Sequence, residues 1–262
     1  MRLLIRLRCT EDSPYEMQYH YHLQGFIYNL LKGSKYDYVH DKDGYKFFCF
    51  SNIFPANTLH KGDLRTLIIS SPDNGFVEHI HSALQYWNGD IKIGAMTFEI
   101  DSVDRPGVKL SASPLTLITG TPIVIRIPRE RYRAYGIEPK GQYDSVYWRS
   151  DYPVDLFISQ IENNLTKKYT EYFGLGTGQD FSTRIKVDRK ELPSIHFIQK
   201  FKFKKQVSTK VLMKGFDQVV IGTTWEFEFD AGANMDIIRF AIDSGLGERN
   251  SLGFGFMNII NK

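Results

Sequence analysis

Apolar side chains in residues 1–104 alternate between the spacing of a strand and the spacing of a helix. Leu3, Ile5 and Leu7 occupy every second position, which is typical of a half-buried strand. Over 18–32 the apolar residues recur every third or fourth position, which predicts an amphipathic helix. A second helix is predicted at 74–87, and further strands at 45–51, 64–70 and 92–103. The resulting order, strand-helix-strand-strand-helix-strand, is that of a ferredoxin-like unit.

The second part of the chain repeats this order of elements. Strands are predicted at 109–117 with a continuation through 122–127, at 195–203, at 218–221, at 224–229 and at 254–260. Helices are predicted at 154–173 and 235–244, and the arginine- and tyrosine-rich insertion 129–149 receives no structural prediction. The chain is therefore predicted to be an α+β protein with two tandem ferredoxin-like (RRM-like) domains, residues 1–110 and 111–262. No low-complexity linker separates them, so close packing is expected.

Composition places the 262-residue chain among globular proteins, with 42% hydrophobic and 24% charged residues. It contains no run of about 18 apolar residues, which is the length that a membrane-spanning helix needs. Arginines interrupt the N-terminal stretch MRLLIRLRC, so no targeting segment is expected. Cys9 and Cys49 lack the CxxC spacing of metal or redox sites, and they suit a reducing cytoplasm.

Basic residues concentrate between residues 184 and 214, where ten lysines and arginines stand against two acidic residues. The net charge of the whole chain is only +3, so this uneven distribution is more informative than the total. A basic cluster indicates a polyanionic partner. Within the cluster, Lys205, Lys210 and Lys214 lie in a loosely patterned stretch and are predicted to bind phosphate groups.

Lysines and aromatic residues alternate within the predicted strand 195–203 and just beyond it. Lys200, Lys202 and Lys204 would line one face of the strand, and lysine rows make sequence-independent phosphate contacts. Acidic residues alternate with aromatic residues in the same way over 225–230. If the two strands pair, the acidic row neutralises the lysine row across the sheet. Phosphate binding and neutralisation are equally good interpretations at this point.

The glycine-rich segment GLGERNSLGFG, residues 245–255, lies between a predicted helix and the last predicted strand. Glycine permits positive φ angles and close approach to a ligand, and successive backbone N–H groups form anion sites. The segment lacks the GK[ST] of a Walker loop and the strand-to-helix context of a Rossmann loop. A tight turn before a strand is the alternative, but two Gly-apolar-Gly units favour a loop that holds RNA phosphates. The predicted RNA contacts are Gly245, Gly247, Arg249, Asn250, Ser251, Gly253 and Gly255.

Candidate proton-transfer groups lie in the first half of the chain. His20, Gln24 and Tyr28 are spaced four residues apart on the first predicted helix, and the polar loop after it contains His40 and Lys46. Histidine exchanges protons near neutral pH, and lysine can stabilise a developing negative charge. The remaining histidines and the carboxylates form no metal-like cluster. Any phosphoryl chemistry is therefore expected to proceed without a metal or other cofactor.

The chain resembles the CRISPR-associated endoribonucleases that process precursor guide RNA, the Cas-six family. The resemblance covers nearly the whole length, and the glycine-rich segment is its most specific part. The other parts are the MRLLIRL strand, the LQGFIYN motif at 23–29, the segment 40–46, and Ser113 with Pro114. Members of the family are built from two ferredoxin-like domains, which agrees with the repeat of elements.

The resemblance implies cleavage of CRISPR repeat RNA without a metal. The 2′-OH beside the scissile phosphate would attack it, leaving a 2′,3′-cyclic phosphate and a 5′-OH. Tyr28 matches the proposed general base of the family, His40 the general acid, and Lys46 the lysine that stabilises the transition state. Tyr45 and His20 remain alternatives to Tyr28.

The resemblance also implies CRISPR repeat RNA (precursor crRNA) as the partner and a cytoplasmic location without membrane contact. It leaves open whether the protein joins a CRISPR effector complex and whether it forms a homodimer. One alternative is a non-catalytic or weakly catalytic repeat-RNA-binding protein of the same fold. A ferredoxin-like enzyme that acts on a phosphorylated metabolite is a further alternative.

Overall fold

Two antiparallel sheets, one from each half of the chain, form the framework of the protein. The computed structural model describes residues 1–110, 115–139, 141–174, 198–213, 215–229 and 235–260. Ser113, Pro114, Lys214 and the basic residues between 184 and 197 therefore lie outside the described residues. No helix within these six stretches is long and apolar enough to cross a membrane.

The N-terminal half, residues 1–110, folds around a five-stranded sheet with the strand order β2-β3-β1-β5-β4. The alternate residues Leu3, Ile5 and Leu7 of the central strand are buried against the two helices, as the sequence pattern predicts. The second helix begins after Asp73, whose side chain accepts a hydrogen bond from the N–H of Phe76. The elements are β1 (Arg2–Cys9), α1 (Tyr19–Leu31), β2 (Cys49–Phe50), β3 (Leu64–Ser70), α2 (Asn74–Gln85), β4 (Ile91–Ile93) and β5 (Met96–Asp104).

The C-terminal half, from residue 115, folds around a four-stranded sheet with the order β11-β6-β10-β9. Two further short strands, β7 and β8, pair with each other; β7 ends just before the insertion 129–149 that received no structural prediction, and β8 lies within it. The elements are β6 (Leu115–Thr119), β7 (Arg126–Pro128), β8 (Ser145–Tyr147), α3 (Val154–Tyr172), β9 (Ile198–Met213), β10 (Phe216–Phe229), α4 (Met235–Ser244) and β11 (Met257–Ile260).

The two sheets have the same topology. Without the short β4, the N-terminal order β2-β3-β1-β5 corresponds strand for strand to the C-terminal order β9-β10-β6-β11. In each half, the first and third strands of the strand-helix-strand-strand-helix-strand unit lie in the middle of the sheet. The predicted fold class, α+β with two tandem ferredoxin-like units, is confirmed.

Several predicted strands have different extents in the structure. The predicted strand 92–103 is two strands, because Gly94 adopts a φ of 61° and turns the chain between β4 and β5. The predicted strand 45–51 is reduced to Cys49–Phe50. The predicted continuation from 109–117 into 122–127 is wrong, because β6 ends at Thr119 and β7 belongs to another sheet. Pro122 lies between them, and proline cannot donate a hydrogen bond to a strand ladder.

The strands predicted at 218–221 and 224–229 form the single strand β10, which pairs with β9 along its whole length. Only residues 226–229 of β10 also pair with β6, so the rest of this hairpin extends beyond the sheet. Near its far end Val211 and Val220 are buried together with Leu252 and Phe254. The far end of the hairpin therefore packs against the glycine-rich segment.

The glycine-rich segment, residues 245–255, lies against the N-terminal half. A Cβ atom on Gly253 would overlap the ring of Phe50, and a Cβ on Gly245 would lie 3.1 Å from the Cβ of Cys49. His20 of α1 stacks on Phe254 with ring centroids 5.0 Å apart. The absence of side chains at these glycines therefore allows the two halves to approach closely.

We expect Gly253→Ala to destabilise the fold. The left-handed backbone of residue 253 costs a non-glycine residue about 1–2 kcal/mol, and overpacking against Phe50 adds about 1–3 kcal/mol. At about 2–4 °C per kcal/mol, the Tm measured by calorimetry should fall by roughly 4–20 °C. Gly25→Ala is the matched control. Gly25 lies inside α1 with no atom within 4 Å of a Cβ, so the Tm of this variant should rise by about 1–4 °C. Equal shifts for both variants would contradict the packing role of Gly253.

Candidate active site

A cavity of about 1180 Å³ opens between the two halves. One wall is a face of α1, a second is the loop 37–48, and the glycine-rich segment lies opposite. The α1 residues that line the cavity recur every three or four positions and so form one stripe, Tyr21, Gln24, Gly25, Tyr28 and Asn29, and Lys32 at the C-terminal end of the helix continues it. The apolar stripe of the same helix, which includes Leu23 and Ile27, is buried in the N-terminal core. The amphipathic pattern thus points the polar face of α1 into the cavity.

Tyr28, His40 and Lys46 lie together on one wall of the cavity. The rings of Tyr28 and His40 meet edge to face with their centroids 5.0 Å apart. The Lys46 Nζ lies 4.8 Å from the centroid of the Tyr28 ring. The same ammonium donates hydrogen bonds to the carbonyls of Val39 and His40, at 2.8 and 2.6 Å. Lys46 therefore holds the loop that carries His40 against α1.

The imidazole of His40 is accessible from the cavity, since 62% of its side chain is exposed. Its Nδ1 lies 2.6 Å from Oδ1 of Asp41, and this contact orients the ring. With Nδ1 facing a carboxylate, Nε2 is the nitrogen that can exchange a proton with a substrate. Burial lowers the pKa of Lys46, and the nearby carboxylates of Asp41 and Asp43 act in the opposite direction.

The Tyr28 hydroxyl is buried where the helix meets the glycine-rich segment. Burial raises the pKa of Tyr28 to about 12, and an interaction with the Ser251 side chain only partly offsets the effect. No described residue forms a hydrogen bond of normal geometry with this hydroxyl. At neutral pH Tyr28 is therefore protonated in the structure, and it enters any reaction as a neutral phenol.

The two alternatives to Tyr28 differ in position. His20 does not line the cavity, because its ring is stacked between Tyr19 and Phe254 and its Nδ1 lies 2.8 Å from the Leu252 carbonyl oxygen. Burial lowers the pKa of His20 to about 4, so the imidazole is neutral at pH 7. Tyr45 lines the cavity, and its hydroxyl accepts a hydrogen bond of 3.4 Å from Asn164 Nδ2.

The glycines of residues 245–255 do not form an open row of N–H groups. The N–H groups of Gly245, Gly253 and Gly255 donate to protein carbonyls at 2.9, 2.8 and 2.8 Å. Gly247 is buried as well, and a Cβ there would lie 2.6 Å from the Val124 carbonyl oxygen. The positive φ angles inferred from the pattern are present, at 71–81°. The prediction that the backbone of these glycines holds RNA phosphates is nevertheless corrected, because these glycines are used for packing inside the protein.

Four polar residues of the segment line the cavity: Glu248, Arg249, Asn250 and Ser251. Two of them form hydrogen bonds inside the protein, because Glu248 pairs with Arg126 and Asn250 with backbone carbonyls. The Asn250 amide donates to the carbonyls of Leu246 and Phe254, at 3.0 and 2.9 Å. Arg249 has a φ of 58°, an unusual value for a side chain of this size, and it lines the cavity with Ser251. Of the predicted loop contacts, Arg249 and Ser251 are the side chains that a ligand in the cavity can meet.

Lys168 of α3 fixes the glycine-rich segment from inside the C-terminal half. Its fully buried ammonium donates to the carbonyls of Gly245 and Gly247 and to Oδ1 of Asn250, the last at 2.9 Å. Burial lowers the pKa of Lys168 to about 7, and Cys49 and Glu248 act in the opposite direction. The prediction from sequence did not include this lysine. The sequence feature that could have indicated Lys168 is its position on the apolar stripe of the helix, three residues after Leu165.

The lysines of β9 are partly neutralised across the sheet. Lys200 pairs with Glu228 at 2.6 Å and Lys204 with Glu226 at 2.7 Å. Lys202 lies directly opposite Glu226 in the strand register. The remaining described candidates, Lys205 and Lys210, are exposed on the extended hairpin and do not line the cavity.

Comparisons with known proteins agree with this architecture. The family model described as "CRISPR associated protein Cas6, C-terminal" matches residues 106–259. A CRISPR-associated endoribonuclease Cas6 of Haloferax mediterranei is 32% identical over 268 aligned positions, covering 100% of this chain and 94% of the relative. CRISPR-associated endoribonuclease Cas6 2 of Methanocaldococcus jannaschii is 29% identical over 269 positions, covering 99% of this chain and 100% of the relative.

Solved structures show the same fold over the full length. A structure titled "An RAMP protein binding different RNA substrates" has a TM-score of 0.72 at 20% identity and covers 100% of both chains. One titled "CRISPR associated protein Cas6" has a TM-score of 0.69 at 20% identity and covers 100% of this chain and 99% of the other.

We predict that the stability of the protein depends on pH through Lys168. Its pKa is about 7 in the folded state against the usual lysine value of 10.5 in the unfolded chain, so the unfolded chain binds more protons between these values. Stability therefore rises with pH above about 7. Relative to Lys168→Met, the wild-type free energy of unfolding should increase with a slope of about 0.7 kcal/mol per pH unit at pH 7 that approaches about 1.4 by pH 8.5. Urea unfolding at several pH values measures this slope.

Lys167→Met, which changes an exposed lysine of the same helix, is the control for this comparison. Its unfolding free energy should follow the wild-type pH dependence throughout. Parallel curves for wild type and Lys168→Met would contradict the assignment of a buried, titrating ammonium.

Proposed function

The chain belongs to the Cas6 family of CRISPR-associated proteins, and on that basis we propose that it binds CRISPR repeat RNA and cleaves precursor crRNA as a metal-independent endoribonuclease. The observation that carries the proposal is the grouping of Tyr28, His40 and Lys46 on one wall of the cavity between the halves. A tyrosine, a histidine and a lysine are sufficient for proton transfer and charge stabilisation at a phosphodiester.

In the proposed reaction the 2′-oxygen of the nucleotide before the scissile bond attacks the neighbouring phosphorus. The bond from phosphorus to the 5′-oxygen of the next nucleotide breaks. The 2′-OH donates a hydrogen bond to the phenol oxygen of Tyr28 and loses its proton to water, and the departing 5′-oxygen receives a proton from Nε2 of His40. The products are a 2′,3′-cyclic phosphate and a 5′-OH. DNA lacks the attacking hydroxyl, so it is not cleaved.

Tyr28 has a restricted role in this scheme. Because burial raises the pKa of Tyr28 to about 12, the side chain is a neutral phenol near neutral pH, and its oxygen can accept a hydrogen bond but not a second proton. We assign it the acceptance of the 2′-OH hydrogen bond and the orientation of the attacking oxygen. The protonated state of Tyr28 is also the observation that favours the alternative function, a repeat-RNA-binding protein of the same fold that cleaves slowly.

Lys46 is assigned to the phosphate oxygens. An ammonium has three donors, and the carbonyls of Val39 and His40 take two of them. The third can point to a non-bridging phosphate oxygen, where negative charge accumulates in the transition state. Because the same ammonium holds the carbonyl of His40, the acid and the charge-stabilising group keep a constant spacing.

RNA binding in the cavity is assigned to Arg249 and Ser251 on one side and to Lys32, just after α1, on the other. Gly25 supports this placement, because it lies inside α1, where glycine costs about 0.5–1 kcal/mol relative to alanine. No protein atom lies within 4 Å of a Cβ built on Gly25, so the space beside it stays open to a ligand in the cavity. Lys205 and Lys210, which do not line the cavity, are proposed as sequence-independent phosphate contacts, as is Lys214, which lies outside the described residues.

We expect His40→Ala to reduce the single-turnover rate of repeat-RNA cleavage by about 10²–10⁴-fold in EDTA, with nearly unchanged affinity, because the leaving oxygen loses its proton donor. Denaturing gels of labelled repeat RNA measure the rate. His60→Ala removes an exposed histidine elsewhere in the N-terminal half and should cleave as wild type. A 2′-deoxy nucleotide at the cut site should abolish cleavage by every variant. Equal rates for the two histidine variants would remove His40 from the mechanism, and binding without product in all cases would favour the non-catalytic alternative.

Arg249→Asn should weaken the binding of repeat RNA while preserving the fold, since asparagine tolerates the left-handed backbone at residue 249. Loss of one phosphate contact should lower the slope of log affinity against log salt concentration by about 0.7 for single-stranded RNA. Arg105→Asn, an exposed arginine outside the cavity, should keep the wild-type slope. Filter binding of 2′-deoxy-substituted repeat RNA at several salt concentrations gives both slopes. Identical slopes would show that Arg249 does not contact phosphate.

A further inference from the structure

A second cavity, of about 390 Å³, lies beside the first and shares three of its lining residues, Tyr45, Arg126 and Glu248. Its size falls in the range of pockets that hold small ligands. The polar face of α3 forms one side, through residues three or four positions apart: Gln160, Asn163, Asn164 and Lys167. The strands β7 and β8 form the other side. Gln160 and Asn164 of this amide-rich helical face are partly buried, whereas Asn163 and Lys167 are exposed.

Two amide atoms in this pocket are buried without a hydrogen bond. Nε2 of Gln160 and Oδ1 of Asn164 have no hydrogen-bond partner among the described residues. An unsatisfied buried polar atom costs about 1–3 kcal/mol, so such atoms are uncommon unless a ligand uses them. The buried amide of Asn250, only a short distance along the same cavity system, shows the usual case, with both donors and the acceptor in hydrogen bonds.

The chemistry of the pocket fits a nucleobase better than a phosphate. Gln160 carries a donor and Asn164 an acceptor beside the pocket, and a phosphate oxygen would be repelled by the acceptor. Neighbouring atoms cover both groups, so the two amides rotate when they meet a base. The carboxylate of Glu248 is neutralised at the pocket mouth, because it accepts a hydrogen bond of 3.0 Å from the Arg126 N–H and pairs with the Arg126 guanidinium. Base edges carry donors and acceptors side by side, and an aromatic ring such as that of Tyr45 offers a stacking surface.

We propose that this amide pocket holds one unpaired base of the RNA close to the scissile phosphate and selects its identity through Gln160 and Asn164. The inference rests on the proposed function of the adjoining cavity. The connection between the two sites is direct, since Asn164 Nδ2 donates to the hydroxyl of Tyr45, which lines both cavities. The amides are one helical turn apart, with Cβ atoms about 5–6 Å from each other, so both can reach one base.

The test is a set of repeat RNAs that carry each of the four bases at every position near the cut site. Wild-type protein should prefer one base at a single position by about 5–150-fold, the equivalent of a good amide-base contact. Gln160→Leu and Asn164→Leu should lose that preference and still cleave, and Gln160→Leu should have an unchanged or higher Tm, because Nε2 of Gln160 has no hydrogen-bond partner among the described residues. Gln160→Glu, which replaces the donor with an acceptor, should change the preferred base. Asp155→Leu, on the same helix outside both cavities, should behave as wild type.

Binding constants of the same RNAs with a 2′-deoxy cut site separate this inference from the proposed function. If no variant cleaves but the base preference in binding depends on Gln160 and Asn164, the endoribonuclease assignment fails and the pocket stands. If cleavage occurs and the base preference is the same in wild type and all three amide variants, the pocket assignment is overturned and the enzyme assignment stands.

Discussion

Burial of the glycine-rich segment between the two ferredoxin-like halves is the constraint on which the arrangement of the protein depends. Its four glycines have φ angles of 71–81°, and their missing side chains let the segment lie directly on Phe50 and on the carbonyl of Val124. Because so close an approach leaves no room for adjustment, the two sheets are held at a defined separation. The cavity exists where that contact ends, between the polar face of α1 and the outer side of the segment.

Lys168 stabilises the glycine-rich segment from inside the C-terminal half. A buried ammonium is unfavourable unless its donors are satisfied, and the two carbonyls and one amide oxygen that it contacts all belong to residues 245–250. The N-terminal half contributes Tyr28, His40 and Lys46 to the cavity, whereas the C-terminal half contributes Arg249 and Ser251. By fixing residues 245–250, Lys168 therefore also sets the distance between the proposed catalytic side chains of the N-terminal half and the proposed RNA contacts of the C-terminal half.

The proposed active site and the amide pocket form one continuous surface that crosses the junction of the halves. Tyr45 comes from the N-terminal loop, Arg126 from β7 and Glu248 from the glycine-rich segment, and all three line both cavities. A strand of RNA that lies along this surface would place its phosphates beside lysine and arginine side chains and one base beside the amides of Gln160 and Asn164. In RNA recognition, charged side chains usually supply affinity through the phosphate backbone, and polar groups that contact base edges supply selectivity.

Much of the fold was readable from sequence because periodicity and φ preferences are local properties. The bounds of β3 and α4 were predicted as observed, and the requirement for positive φ at the glycines was correct. What lies against a glycine is not local: Phe50 occupies the place near Gly253 that the sequence pattern alone assigned to RNA. In the same way, only pairing of β9 with β10 showed that Lys200 and Lys204 are neutralised, and only docking of the halves buried His20. Sequence determined the elements and the candidate chemistry, whereas contacts between residues far apart in the chain decided which groups face a ligand and which stabilise the fold.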